Sequence, residues 1–334
     1  MLMPFSRLFK RCGKFFKCKN KEIILDSVDI VNEKITLTSL PSRSSDVTFM
    51  LKFCIYLAVI FTGTLLTISD PVWTKLIGIF LLGAMFAHGV ELQHQVLHAQ
   101  GIKNRKGNEI IGIILGLPML VSYADYKYSH LNHHKYLGTP QNKEYFDYGD
   151  QYGTLNFNTL FSLFSRFFML QQYHGFIKKT FIAITFRDFE DTTPKVSKQI
   201  RRDYLVMLLF IIALATLSYF YSWEIIILLW LVPFVTVASP IHALIEMPEH
   251  FQCNTESTHQ FSNTRSIKSN AFMTWFTNGN NFHVEHHMMP GLPIDRLHDL
   301  HAKINGRYEN YSPTYRAFYR EVFRSIVRKK NNES

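Results

Sequence analysis

Four stretches of this 334-residue chain contain no Asp, Glu, Lys or Arg: Phe53 to Ser69, Leu76 to Val90, Tyr204 to Trp223 and Ile225 to Ile245. An apolar helix needs about 17 to 25 residues to cross the ~30 Å hydrocarbon layer of a bilayer. The first, third and fourth stretches have that length. The second reaches it when Val72 to Lys75 and Glu91 lie at the interfaces. A soluble core helix explains one such run, but not a back-to-back pair broken only by Glu224. The predicted fold is an all-α integral membrane protein with two transmembrane helical hairpins, about four spans, and a cytoplasmic helical cap.

Charge sets the expected topology. Residues 1–47 carry nine Lys or Arg, 94–203 carry fourteen and 244–334 carry eleven, while the two hairpin tips carry almost none. By the positive-inside rule, the tips face outward and both termini are cytoplasmic, in a bacterial inner membrane or a eukaryotic endoplasmic reticulum. The net charge of +10 is therefore read as topology and not as nucleic-acid binding. Residues 1–47 form a basic N-terminal segment, 48–310 the membrane domain and 311–334 a basic tail. Glu22 to Val47 read as a linker or a short β-containing arm. Ile110 to Ala124, with Pro118 inside it, is expected to be re-entrant or interfacial. Phe157 to Leu170 and Phe176 to Phe186 are expected to be helices lying in the interface. Cys12, Cys18, Cys54 and Cys253 lack paired spacing, which argues against a disulfide scaffold, a zinc ribbon or an iron–sulfur cluster.

Eight of the 15 histidines lie in three clusters: His94-x3-His98, His130-x2-His133-His134 and His283-x2-His286-His287. On a helix, positions i, i+3 and i+4 share a face, so each cluster can aim two or three imidazoles at one point. The first cluster follows the second apolar run and the third follows the last, so all three can meet at the cytoplasmic mouth of the bundle. Neutral imidazole suits iron, copper, zinc and nickel. One zinc takes three or four ligands, so eight or nine histidines point to two metal ions. The first cluster lacks the Glu of H-E-x-x-H, which removes a zinc-protease base from that position.

The three boxes, with HLNHHKYLGTP around the second, NNFHVEHHMMPGLP around the third and PIDRLH after it, resemble the membrane fatty acid desaturases and the related lipid and carotenoid hydroxylases and ketolases. The resemblance runs from Phe53 to Ile304. It implies a non-haem di-iron centre, with O2 as co-substrate, that removes hydrogens from a long acyl chain carried as a lipid, acyl-carrier-protein or coenzyme A ester. It implies His94, His98, His130, His133, His134, His283, His286 and His287 as catalytic iron ligands. It further implies a ninth ligand between the last span and the third box, for which His250 is the first choice and His242 the competing residue, and Asn278 or Asn281 as candidate holder of a bound water. With no donor domain visible, an external ferredoxin, rubredoxin or cytochrome with its reductase is implied. The rival readings are a hydroxylase or ketolase on the same centre and, in another class, a non-catalytic membrane metal-binding or transport protein.

The remaining polar residues have plainer expectations. His88, inside the second span, is read as a neutral hydrogen-bonded histidine over a substrate contact. His174, His259, His298 and His301 are read as solvated or structural. Glu91, Asp147 and Asp150 are candidate hydrogen-bond partners of ligand histidines. Arg265 is either a contact for an anionic head group or exposed.

Overall fold

The computed structural model describes residues 46–142, 156–304 and 306–332, all within one compact unit, Arg43–Ser334. The basic segment before Asp46, with Cys12, Cys18 and the expected arm, lies outside the described residues, as do Asp147 and Asp150. Among the described residues, four helices are long and apolar enough to cross a membrane: α1 (Asp46–Ile68), α2 (Val72–Leu97), α7 (Pro194–Phe220) and α8 (Glu224–Glu249). They form two hairpins. Two short strands aside, the regular structure of the described residues is helical.

α2 is the central helix. Every residue from Leu82 to Leu97 is buried, whereas α1 turns Leu57, Phe61 and Leu65 outward and α7 turns Leu209 and Ile212 outward. Lipid tails are as apolar as the helices, so close approach between backbones must hold such a bundle together. Glycines permit it here. A Cβ on Gly78 would lie 2.4 Å from Thr67 Oγ1 and 2.6 Å from the Gly63 carbonyl of α1. A Cβ on Gly83 would lie 2.4 Å from Val237 Cβ and 2.7 Å from the Pro233 carbonyl of α8. α8 widens into π turns at Ile227–Leu231 and Pro233–Ala238, where Pro233 supplies no N–H to the regular ladder.

The segment expected to be re-entrant or interfacial breaks near Pro118. Helix α3 (Arg105–Gly116) ends before it, and the chain turns through Leu120, at φ 56°, into α4 (Tyr123–Tyr136). Two contacts hold this turn. Gln93 of α2 donates to the Gly112 and Val121 carbonyls at 2.9 and 3.1 Å. Asp203 of α7 accepts from the Ala124 N–H at 2.8 Å and the Ser122 hydroxyl at 3.0 Å. A carboxylate at a helix N-terminus both caps free N–H groups and complements the dipole. α4, which carries the second histidine box, is thereby fixed to the membrane helices.

α5 (Phe157–Phe167) and α6 (Leu170–Ile184) follow. Phe157, Leu160, Phe161 and Phe164 recur at helical spacing on the exposed face of α5, and Ile177, Phe181 and Ile184 do so on α6. This is the amphipathic pattern of helices that lie in an interface.

Beyond α8 come α9 (Gln260–Asn263), α10 (Ala271–Phe276), α11 (His283–Met288) and α12 (Leu297–Ile304). Strand β1 (Ser266–Ile267) pairs in parallel with β2 (Tyr311–Ser312), and α13 (Tyr315–Asn332) closes the described chain. Phe318, Val322 and Ile326 of α13 pack on Met247, Phe251 and Ile267. Arg265 is neither exposed nor free for a head group. It donates to the Pro248 and Phe251 carbonyls at 3.0 and 2.6 Å and lies 5.0 Å from the Phe318 ring centroid.

Candidate metal centre

Nine histidines converge where α2, α4, the end of α8 and α11 meet. Among the described residues they form two donor groups. The first is His94, His98, His130, His134 and His286; the second is His133, His250, His283 and His287. Within each group the ligand atoms all lie within 4.8 Å of one another. The groups adjoin, with the His134 and His287 ring centroids 4.4 Å apart.

The boxes do not each serve one point, as spacing alone predicts. In both H-x2-H-H boxes the i, i+4 pair stays together while the i+3 histidine joins the other group: His133 leaves His130 and His134, and His286 leaves His283 and His287. Residues i+3 and i+4 point about 100° apart around a helix, enough to divide one box between two adjoining centres.

Distances within the groups suit a shared cation. His94 and His130 bring their Nε2 atoms to 2.8 Å, and His134 Nε2 lies 2.9 Å from both His130 Nε2 and His286 Nε2. In the second group, His287 Nε2 is 3.1 Å from His133 Nε2 and from His283 Nε2. Two nitrogens bound at about 2.1 Å are about 3.0 Å apart at a right angle and about 3.4 Å apart at a tetrahedral angle. The observed spacings match the right angle, and the five donors of the first group exceed the four that zinc prefers. His98 Nε2 is a buried polar atom with no hydrogen-bond partner, as a nitrogen reserved for a metal would be.

Burial keeps these rings neutral, with their lone pairs available. It pushes His98 down to about 4, His134 to about 3 and His250 to about 4, and holds His130, His133, His283, His286 and His287 well below the usual histidine range. Two tautomers are set by neighbours. His250 Nδ1–H donates to the Asn263 carbonyl at 2.9 Å, and His283 Nδ1–H to Asn280 Oδ1 at 3.0 Å, which turns each Nε2 to the donor group. Of the two residues competing for the ninth place, His250 therefore lies in a donor group. His242 stands outside both, with its Nε2 3.6 Å from Glu246 on the same helix.

Some polar residues at the site are not apparent from the sequence. Asn280, not Asn278 or Asn281, touches a donor histidine, and its Nδ2 donates to Glu249 Oε1 at 2.8 Å. Asn278 instead binds Gln95 and the Glu91 carbonyl, and Asn281 binds the Ile267 carbonyl. A chamber of about 20 Å³ beside the donors is lined by Glu91, Glu246 and Glu249 together with His130, His133 and His283. Glu91 Oε2 is buried there without a hydrogen-bond partner. Glu285, inside the third box, faces away from the donors. It accepts from the Ser266 hydroxyl, His301 Nδ1 and the Tyr308 hydroxyl, each at 2.5 Å. His301 is thus structural and buried, and His88 Nδ1 meets the Phe276 carbonyl at 2.6 Å beneath Trp275. Of the residues expected to be solvated or structural, His259 lies tilted against Phe261, ring centroids 5.3 Å apart, and His298 pairs with Asp299.

Comparison with known proteins agrees with this architecture. Residues 71–319 match the fatty acid desaturase family model. The dihydrorhizobitoxine desaturase of Bradyrhizobium elkanii is 28% identical over 256 residues, covering 72% of this chain and 70% of that protein. The match takes in both donor groups and more than half of the sequence, so the enzyme reading stands over the metal-transport reading. An enzyme that removes hydrogen from two adjacent carbons is an oxidoreductase, and this chain belongs to the fatty acid desaturase family.

Proposed function

We propose that this protein desaturates a saturated carbon chain of a lipid or acyl thioester, using O2 and two electrons from an external carrier of the ferredoxin, rubredoxin or cytochrome type. The balanced reaction converts –CH2–CH2–, O2, two electrons and two protons into –CH=CH– and two waters. The observation that carries this reading is the pair of adjoining all-histidine donor groups in a family of desaturases. Two irons held there would supply the O2 reduction that an unactivated C–H bond requires.

The chain's own residues bind, orient and exclude water. Asn263 and Asn280 fix the tautomers of His250 and His283. Ser266, His301 and Tyr308 anchor Glu285, and the Val284 N–H donates to the Ser266 hydroxyl at 2.9 Å, so α11 presents its histidines in one orientation. The donors are themselves enclosed, with His94, His133, His250, His283 and His286 each at 2% exposure or less, so little water reaches them. The basic residues flanking the spans favour a cytoplasmic site and an acidic electron carrier.

The test is expression in a bacterial host that makes no polyunsaturated lipid, followed by mass spectrometry of fatty acids and of polar lipids, with His133→Ala alongside. A new unsaturated product that vanishes in the variant is expected. A hydroxylated product would replace desaturation with the rival oxygenation, and no product from metal-loaded, donor-supplied protein would remove the acyl substrate.

A further inference from the structure

A cavity of about 590 Å³ opens between α4, α5 and α6, with Tyr204 of α7 and Glu246 near the end of α8 also in its lining. Leu120, Met169 and Phe176 give it an apolar wall, and Phe161, on the exposed apolar face of α5, stands at its edge. Two ion pairs also line it. Arg166 meets Glu246 at 2.8 Å, and Lys179 meets Asp125 at 2.5 Å. The members of each pair are not equally covered. The Glu246 side chain is 43% exposed against 14% for Arg166, and Lys179 is 40% exposed against 20% for Asp125. All four side chains line the cavity, and the more exposed member of each pair, the Glu246 carboxylate and the Lys179 ammonium, is the one an occupant meets first. A bare hydrocarbon would strip water from both and return no hydrogen bond.

We propose that this cavity binds the zwitterionic polar group of an amphiphilic substrate, its ammonium on Glu246 and its carboxylate or phosphate on Lys179. Glu246 and Tyr126 also line the small chamber beside the metal donors. The Tyr126 ring lies 5.4 Å from the His130 ring and 6.2 Å from that of His94. A substrate held on Glu246 therefore has its polar end, not the far end of its chain, nearest the donors. This consequence, a double bond close to the polar group, rests on the desaturase reading.

The test measures binding of four probes with one chain length to full-length, metal-loaded protein in lipid nanodiscs, with empty nanodiscs subtracted. The probes are 2-aminooctanoate, octanoate, octylamine and octan-1-ol. 2-Aminooctanoate is expected to bind at least about tenfold tighter than each of the others, a difference set by paired charges in a partly desolvated site. Lys179→Met is expected to erase its advantage over octylamine, Lys179→Arg to keep it, and Glu246→Gln to erase its advantage over octanoate, with metal content measured for each variant. Equal binding of all four probes, an octanoate affinity equal to that of 2-aminooctanoate, or a preference that Lys179→Met leaves intact would each overturn the proposal. Octylphosphoethanolamine in the same assay separates the sources of the zwitterion: competition supports a phospholipid head group, and its failure supports an amino acid. Incubation with O2 and reductant keeps the two readings apart. Selective binding without any desaturated product would sink the desaturase reading and leave the cavity standing, whereas desaturation of octanoate with flat binding would do the reverse.

Discussion

Glu249 Oε2 lies 3.3 Å from His283 Nε2, on the nitrogen that the ring turns to the second donor group. Asn280 ties the two together by donating to Glu249 while accepting from the far side of the same imidazole. A carboxylate this close to a donor nitrogen raises the negative charge beside an otherwise neutral ligand set, and groups around metal ligands typically carry about 10- to 100-fold in metal affinity. Glu249→Ala is therefore expected to lower retention of metal against a chelator by about that factor, with Glu249→Asp intermediate. Metal analysis during chelator titration decides it, and unchanged retention would remove Glu249 from the centre.

The buried anchor of the third box offers a stability measurement. Tyr308→Phe deletes one of three hydrogen bonds to a fully buried carboxylate, a loss of about 1.5–3 kcal/mol for a bond to a charged group. Ser266→Ala deletes a bond to Glu285 and the partner of the Val284 N–H, so its cost is expected to be larger. Thermal unfolding in detergent should rank the chains wild type, Tyr308→Phe, Ser266→Ala in falling order.

Glycine substitutions separate packing from propensity. Gly78→Ala drives a methyl into the α1 backbone and is expected to cost about 1–3 kcal/mol or to part the hairpin. Gly175→Ala, on α6 with nothing near the added methyl, is expected to stabilise by up to about 1 kcal/mol through helix propensity. Equal effects on unfolding temperature would contradict the close α1–α2 contact.

Acid should unfold the metal-free protein. His98, His134 and His250 titrate at about 4, 3 and 4 when folded, because burial opposes their charged forms, against about 6.5 when unfolded. The unfolded chain binds more protons between those limits, so stability falls as pH drops from about 6.5 towards 4 and is level with respect to these groups above pH 7.5. Unfolding temperatures across pH 4 to 8 test this, and a stability that rises on acidification would contradict neutral burial of the three rings.

Much of the site was legible because its signals are local. Charge-free runs report the membrane helices, since a bilayer tolerates few charges, and i, i+4 histidines report a shared helix face. Asn280, Glu249 and the partners of Glu285 left no such trace. Glu285 is joined to Ser266, 19 residues away, and to Tyr308, 23 residues away, by contacts that exist only once the chain has folded back on itself. Arg265 is a similar case: a lone arginine in a polar stretch reads as surface, but packing against α13 leaves it half-buried over Phe318.

By itself the sequence determined the class of this protein, its four apolar helices, and the eight box histidines that could meet a metal, because hydrophobicity and helical period act over a few neighbouring residues. The tertiary structure alone decided which histidine serves which centre. His133 and His134 are adjacent in the chain but belong to different donor groups, as do His286 and His287. That partition depends on how α2, α4 and α11 are rotated against one another, which is set by Asp203 at the start of α4, Gln93 at the turn before it and Ser266 beneath α11. Such rotations are fixed by contacts between distant segments, and no period within one helix encodes them.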